Sequence, residues 1–236
     1  MNNAITIFRR EMRSYFNSPV AYIVITLFLL VSGYFFSSNL FINNSADLRT
    51  LFGIAGFILM LFTPAVTMRL LAEERRAGTI EILVTLPVRD EEIVVGKFLA
   101  GFALTAISIV LTFIAYLTIA SLGNADFGAA FGGYLGLILM SGVYVAIGLF
   151  TSSLSPNQII AFIVGFVIIF AFFMLDKILA FLPDALASFF EYLSIDYHYG
   201  NISRGVIDSR DLIYYFSMMF FFLYLAVRMT QLRKWR

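Results

Sequence analysis

One long uncharged stretch decides the fold: between Asp126 and Asp176 the chain reads FGAAFGGYLGLILMSGVYVAIGLFTSSLSPNQIIAFIVGFVIIFAFFML. A helix needs about 20 apolar residues to cross the hydrocarbon core of a bilayer, so this stretch is long enough for two crossings. The polar segment Thr151–Gln158 divides it, and Ser155 followed by Pro156 predicts the cap and first turn of the second helix. We therefore predict a helical hairpin with a tight polar turn, set within a membrane.

Similar apolar segments occur on both sides of this hairpin. Helices satisfy their backbone hydrogen bonds internally, as lipid requires, so each segment is predicted to be a transmembrane helix. The six predicted spans lack Asp, Glu, Lys and Arg and are Val20–Ser38, Leu51–Met68, Phe98–Leu122, Phe131–Phe150, Ile159–Leu175 and Leu212–Val227. The chain is 61% hydrophobic and contains 27 Phe, more than a soluble domain of 236 residues can bury. We predict an all-α polytopic membrane protein with a single domain over residues 1–236.

The basic residues are unevenly divided between the two ends of the predicted bundle. If the N-terminus is cytoplasmic, twelve of the 16 Lys and Arg residues face the cytoplasm and four face the outside. Acidic residues divide almost evenly, with seven inside and eight outside. Because short cytoplasmic loops carry an excess of Lys and Arg, both termini are predicted to be cytoplasmic.

Residues 1–18 are predicted to form an amphipathic helix on the cytoplasmic membrane surface. Arg9, Arg10 and Arg13 lie largely off its apolar face, where they can contact anionic headgroups. The apolar face consists of Ile5, Phe8, Met12, Tyr15 and Phe16. The alternative is that these basic residues only fix the topology of the first span.

A further helix is predicted in the outer segment 176–211, between the last two spans. Leu182–Leu193 has the apolar spacing of a helix, but it contains Asp184 and Glu191, which argue against a full span. A seventh span would also move the basic C-terminal residues to the outside. An interfacial or re-entrant helix on the outer face is therefore predicted.

The cytoplasmic loop 69–97, between spans two and three, has an apolar centre and charged flanks. Gly78 interrupts a charged run, Thr79 can cap a short helix, and Pro87 ends it. Three apolar residues lie on one side of that helix: Ile80, Leu83 and Val84. The acidic residues 90–92 then suit the first turn of the next helix. This pattern predicts either a docking element for another protein or a helix packed against its own membrane domain.

The sequence contains no recognisable catalytic or nucleotide-binding motif. The single His198 excludes paired-histidine zinc motifs, and the absence of Cys excludes thiolate metal sites. Gly96-Lys97 is followed by Phe98 and lacks the upstream glycine of a P-loop. No basic stripe indicates a nucleic-acid surface. We predict no cofactor on this chain, so that any ATP must bind to another polypeptide.

Three motifs resemble those of ABC-2 type permeases, the membrane subunits of one class of ABC transporter. The most specific is the loop motif, which reads EERRAGTIEILVTLPV from Glu73 and closes with Gly96-Lys97. The others are FRREMRSYFNSPVAY, from Phe8 to Tyr22, and GVIDSRD, from Gly205 to Asp211. The resemblance extends over nearly the whole chain, and the most similar subgroup is the gliding-motility and copper-enzyme-maturation permeases of bacteria.

The resemblance implies six spans, a connecting surface helix before the first, and a coupling helix between spans two and three. Two permease subunits, identical or different, would pair in the bacterial inner membrane, and a dimer of separate ATPase subunits carrying ATP and Mg would dock below them. The implied docking and coupling residues are Glu73, Glu74, Gly78, Thr79, Ile80, Glu81, Leu83, Leu86, Pro87 and Lys97. The sequence departs from the family pattern in having no large extracellular domain.

Three functions are compared on this basis. The first is an ABC-2 permease that exports a substrate. The second is a secondary transporter or channel, which should carry ionisable groups within its spans, and none occur there. The third is a membrane anchor that transmits ATPase-driven movement to a motility or assembly complex without moving solute. The third shares every sequence feature with the first.

Two patterns at the predicted outer end are weaker. Gly128, Gly132 and Gly136 recur every four residues, which allows close helix approach and is predicted to serve packing within the subunit rather than a dimer contact. His198 lies among tyrosines near the outer interface, where aromatic residues are common. It is predicted to have no special role, with proton sensing as the alternative.

Overall fold

The structure is a computed structural model that describes residues 2–42, 47–78, 88–123, 126–178 and 183–232. Within these ranges it consists of helices and contains no strand. In chain order the helices are α1 (Asn2–Asn17), α2 (Pro19–Phe41), α3 (Arg49–Thr67), α4 (Arg69–Arg76), α5 (Asp90–Leu111), α6 (Phe113–Leu122), α7 (Phe127–Leu154), α8 (Gln158–Ile178), α9 (Asp184–Leu193), α10 (Ile195–Ser203) and α11 (Ser209–Leu232).

Six helical stretches in the described residues are long and apolar enough to cross a membrane, which confirms the predicted all-α polytopic fold. Spans 1 to 6 are Pro19–Phe41, Arg49–Arg76, Asp90–Leu122, Phe127–Leu154, Gln158–Ile178 and Ser209–Leu232. Each contains the segment predicted from the sequence and extends beyond it. The extension is expected because hydropathy marks only the hydrocarbon core, whereas helices continue through the headgroup region.

Span 4 lies at the centre of the bundle. Of its apolar window 83% is buried, compared with 17% for span 1 and 22% for span 5. Glycines allow its neighbours to approach: the ring of Phe52 lies against Gly133, and the side chain of Thr67 lies against Gly148. Span 4 is therefore surrounded by the other helices, whereas most residues of spans 1 and 5 are only partly buried or exposed.

The turn between spans 4 and 5 differs from the prediction. Ser155 is the C-cap residue of span 4, and span 5 begins at Gln158. The side-chain oxygen of Asn157 accepts a hydrogen bond from the N–H of Ile159 at 2.9 Å, which makes Asn157 the cap. The predicted cap at Ser155 was wrong because Asn caps helices as well as Ser does, and Pro156 fits the turn before it.

The end of the bundle opposite α1 carries two short helices, α9 and α10. The first matches the predicted outer helix, although it begins at Asp184 and Leu182 lies outside the described residues. The second was not predicted. It packs on span 4, where the carbonyl of Ile202 lies over Gly132 and an added Cβ at Gly136 would be 2.9 Å from the Tyr199 ring. These two glycines thus serve packing within the subunit, as predicted.

Candidate coupling site

Helix α1 packs lengthwise on the protein rather than standing apart from it. It buries Ala4, Ile7 and Tyr15, while Ile5 stays 43% exposed. Gly96 permits the contact with span 3, because a Cβ there would lie 2.7 Å from the carbonyl oxygen of Ala4. Of the predicted apolar face, Phe8, Met12, Tyr15 and Phe16 pack against the protein, and Ile5 does not.

Tyr15 joins α1 to the lower half of span 2. Its hydroxyl donates a hydrogen bond to the carbonyl oxygen of Val66 at 3.2 Å. Burial, followed by the nearby carboxylate of Glu11, raises the pKa of the Tyr15 phenol far above its ordinary value. The phenol therefore stays protonated and remains a hydrogen-bond donor at any physiological pH.

Four charged side chains meet where α1 crosses spans 2 and 3, and we call Arg10, Glu11, Glu74 and Lys97 the ionic cluster. The Nζ atom of Lys97 lies 3.0 Å from Oε1 of Glu11 and 2.9 Å from Oε1 of Glu74. The Arg10 guanidinium contacts the same two carboxylates at 2.9 and 2.5 Å. The Lys97 side chain is 1% exposed, whereas that of Arg10 is 54% exposed. The cluster joins α1, the end of span 2 and the start of span 3.

The charges of this cluster cancel in pairs. Burial alone would lower the pKa of Arg10, but Glu11 and Glu74 hold it above its ordinary value, so Arg10 keeps its charge. A lysine can be buried only if its charge is compensated and its N–H groups are hydrogen-bonded. Lys97 meets this condition only while both carboxylates stay in place. The cluster therefore resists separation of the three elements.

Span 2 is broken just above the ionic cluster. Helix α3 ends at Thr67 and α4 begins at Arg69. The buried hydroxyl of Ser152 on span 4 accepts hydrogen bonds from the N–H groups of Leu71 and Ala72, both at 3.0 Å. It donates to the carbonyl of Met68 at 2.8 Å. A side chain inserted in this way replaces ladder hydrogen bonds and marks a discrete joint in a helix.

We predict that Ser152→Ala lowers the free energy of unfolding by about 2–4 kcal/mol, because buried backbone groups of span 2 lose their partner. The matched control is Ser153→Ala, which should change it by less than about 1 kcal/mol. Ser153 is equally buried, but its hydroxyl only donates to Phe150 in its own helix. Denaturant unfolding of the purified protein in detergent measures both. Equal effects of the two substitutions would contradict this role of Ser152.

Both flanks of the predicted coupling loop are held in place by α1 and span 4. Helix α4 ends at Arg76 and is followed closely by Gly78, whose φ of +69° is the left-handed conformation typical of the residues after a helix. The Arg75 guanidinium donates to the carbonyl of Ser153. On the other flank, Val88 packs against Ile7 and Ile93. The described residues on both sides of the loop thus contact α1, Glu74 through Arg10 and Val88 through Ile7.

The acidic residues 90–92 form the first turn of span 3, as predicted. The span begins at Asp90, and a carboxylate oxygen of Glu92 accepts a hydrogen bond from the backbone N–H of Arg89 at 3.1 Å. The same carboxylate accepts one from the Asn3 side chain at 3.0 Å. The first turn of α1 is thereby joined to the first turn of span 3.

Several of the residues implied by the resemblance come together here. Glu74 and Lys97 contact each other, and Arg10 joins them. Glu73 instead pairs with Arg69 on its own helix at 2.9 Å. Phe8 and Met12 are half-buried against the protein, and Arg9 and Arg13 are exposed. The remaining predicted residues lie outside the described residues: Thr79, Ile80, Glu81, Leu83, Leu86 and Pro87.

Other residues were not singled out from the sequence. Glu11 was part of the FRRE motif, but nothing in that motif shows which charge faces inward. Ser152 occurs in a polar turn segment that gave no sign of a contact with span 2. His198 is 2% exposed and pairs with Asp211, a contact that the sequence did not indicate. These pairings depend on tertiary contacts that no local spacing encodes.

The arrangement consists of charge pairs and helix joints. Within the described ranges, no group of three or more His, Asp or Glu residues is placed to hold a metal ion. The chain matches the family described as ABC-2 family transporter protein over residues 5–232. That match runs from α1 to the end of span 6. Among curated proteins, none matches the chain.

Proposed function

The chain belongs to the ABC-2 family of transporter proteins, the membrane components of ABC transporters, and we propose that it couples ATP hydrolysis in a separate ATPase to export of a substrate. The ATPase would bind ATP and Mg, and it would dock at the loop that follows Gly78. The membrane would be the bacterial inner membrane, with both termini cytoplasmic. This orientation is supported by the twelve of 16 Lys and Arg residues that it assigns to the cytoplasmic side.

The observation that carries this proposal is the attachment of both loop flanks to α1. The ionic cluster fixes the flank at Glu74, while the contacts of Val88 with Ile7 and of Glu92 with Asn3 fix the other. A force applied to the loop by a docked protein would therefore act on α1, span 2 and span 3 together. Transmission requires that each nucleotide state of the ATPase favour a different conformation of these elements.

A second permease subunit, identical or different, would pair with this one. Spans 1 and 5 are the most exposed of the six, so they offer apolar surface to lipid and to a partner subunit. The loop motif and the GVIDSRD motif support a place in the gliding-motility and copper-enzyme-maturation subgroup. In that subgroup the permease would either transport a substrate or move an attached assembly.

Purification from the native membrane in a mild detergent tests this proposal. We expect an ATPase subunit to co-purify and to hydrolyse ATP in the complex. A chain that purified without any ATPase, and transported its solute when driven only by an ion gradient, would contradict it. Transport by the reconstituted complex separates an exporter from a membrane anchor, because the anchor would hydrolyse ATP without moving solute.

A further inference from the structure

His198 and Asp211 form a buried pair at the end of the bundle opposite α1. Their exposed fractions are 2% and 3%. The Nδ1 atom of His198 lies 2.6 Å from Oδ1 of Asp211, and its Nε2 atom lies 3.0 Å from the carbonyl oxygen of Tyr192. The pair therefore links three elements: α9 through Tyr192, α10 through His198 and span 6 through Asp211.

The hydrogen-bond partners of the His198 ring determine how many protons the His198–Asp211 pair holds. A carbonyl oxygen can only accept, so the Nε2 atom of His198 must carry a hydrogen. A second proton must lie between Nδ1 and Oδ1 of Asp211, since otherwise two lone pairs would face each other at 2.6 Å. The count is the same for an imidazolium beside a carboxylate and for a neutral imidazole beside a carboxylic acid. The pair thus holds one shared proton.

Further contacts from span 6 surround this proton. The Tyr214 ring stacks on the imidazole with centroids 3.9 Å apart, and the Tyr214 hydroxyl donates to the carbonyl of Leu193 at 2.7 Å. The hydroxyl of Tyr215 donates to the carbonyl of Ile195 at 2.9 Å. The carbonyls of Tyr192 and Leu193 belong to the last turn of α9, where the helix cannot bond them itself. Span 6 thus holds the junction between α9 and α10.

We propose that His198 and Asp211 are a proton-binding site, and that the bound proton holds α9 and α10 against span 6. Loss of the proton to water breaks the Nδ1–Oδ1 hydrogen bond and leaves the two groups repelling each other. Helix α10 also forms one wall of a polar cavity of about 680 Å³, which Asp196, Asn201 and Arg204 line. Release of α10 moves this wall, so the bound proton keeps the cavity in its present form and a rise in pH favours a wider one.

The other titratable groups around the pair have hydrogen-bond partners of their own or contact the imidazole through their rings. On α9 they are Glu191 and Tyr192, and on span 6 they are Tyr214 and Tyr215. On α10 itself, Tyr197 packs edge-on to the imidazole. Asp196 is bound by Lys177 of span 5 at 2.8 Å, and Lys177 also binds Asp176. From span 4, Tyr134 and Tyr144 belong to the same buried cluster as Tyr199 of α10.

A buried reporter on α10 tests the proposal in the full chain, which has no cysteine of its own. Ile202→Cys places a thiol at a site that is 0% exposed, and Phe189→Cys on α9 places one at a site that is 65% exposed. An impermeant maleimide labels both. The rate at position 202 is divided by the rate at position 189, which cancels the effect of pH on the reactivity of the thiol itself. No ATPase or substrate is needed, so the outcome is independent of the proposed export function.

Two substitutions of Asp211 distinguish the effect of the shared proton from that of the hydrogen bond itself. In Asp211→Asn, the amide N–H donates to Nδ1 of His198 without any shared proton, so the labelling ratio should stay low at every pH. In Asp211→Ala this bond is missing, and the ratio should stay high. With the native pair, the ratio should rise about tenfold or more as the pH is raised. A ratio that did not change with pH, or that rose equally in Asp211→Asn, would overturn the proposal.

His198 also allows a direct measurement that does not depend on a substitution. It is the only histidine of the chain, so nitrogen-15 labelling of histidine reports on a single imidazole. We expect Nε2 to carry a hydrogen at every pH, and the signal of the proton at Nδ1 to be lost over the pH range in which labelling of position 202 increases. An unprotonated Nε2, or an Nδ1 signal unchanged over that range, would overturn the proposal.

Discussion

Replacing Lys97 with Met is expected to destabilise the membrane domain by about 3–5 kcal/mol, the usual effect of removing one member of a buried ion pair. Met has nearly the length of Lys, so the loss of charge dominates over the loss of volume. Glu11 and Glu74, 13% and 15% exposed, would then face each other, and the half-exposed Arg10 would be the remaining cation of the ionic cluster. Denaturant unfolding in detergent measures the loss.

The matched control for Lys97→Met is Arg10→Met. Arg10 contacts the same two carboxylates, but its side chain is 54% exposed, so its removal should lower stability by about 1 kcal/mol or less. Similar losses of stability in the two variants would contradict the predicted role of the buried Lys97 in the ionic cluster.

Replacing Leu83 with Asp is expected to abolish co-purification of the ATPase while leaving the membrane domain folded. Leu83 lies outside the described residues, and the prediction follows from the apolar centre and charged flanks of its segment. A charge buried in an interface without a partner weakens binding strongly, and a loss of about a hundredfold or more in affinity is expected. Co-purification and ATPase stimulation report on binding, while span packing is checked by thermal unfolding.

Arg89→Ala is the control for Leu83→Asp. Arg89 is exposed at the edge of the same segment. Charges at the rim of an interface change the association rate more than the affinity, so the complex should persist. The result also distinguishes the two interpretations of the loop, a docking element and a helix packed on its own membrane domain. If the loop helix packs on its own membrane domain, Leu83→Asp should misfold the protein. If the folded variant still bound its ATPase and stimulated hydrolysis normally, the docking assignment would be wrong.

The transmembrane architecture was predictable because lipid imposes a strong and local constraint. A segment such as Ile159–Leu175 must be apolar and uncharged along its whole length, and this is visible without knowing what surrounds it. The glycine spacing at Gly132 and Gly136 likewise indicated close packing before its partner was known. In both cases the signal lies in the residues themselves.

The contacts within the candidate site were much less predictable. Glu74 and Lys97 were associated only by resemblance, and their separation of 23 positions along the chain gives no indication of a 2.9 Å contact. The joint at Ser152 and the pairing of His198 with Asp211 require that two helices meet in a given register. Helix α10 was missed because it is short and polar, so neither length nor hydropathy marks it.

The most direct test of the central claim is cross-linking of the assembled complex in native membranes. A photoreactive group on a single cysteine at Ala77, exposed beside the start of the loop, is compared with one at Ile207, exposed at the opposite end. We predict that the ATPase cross-links from position 77 with a yield that changes when ATP is added, and that it does not cross-link from position 207. Cross-linking from position 207, or none from position 77 in a complex that still co-purifies, would contradict the account.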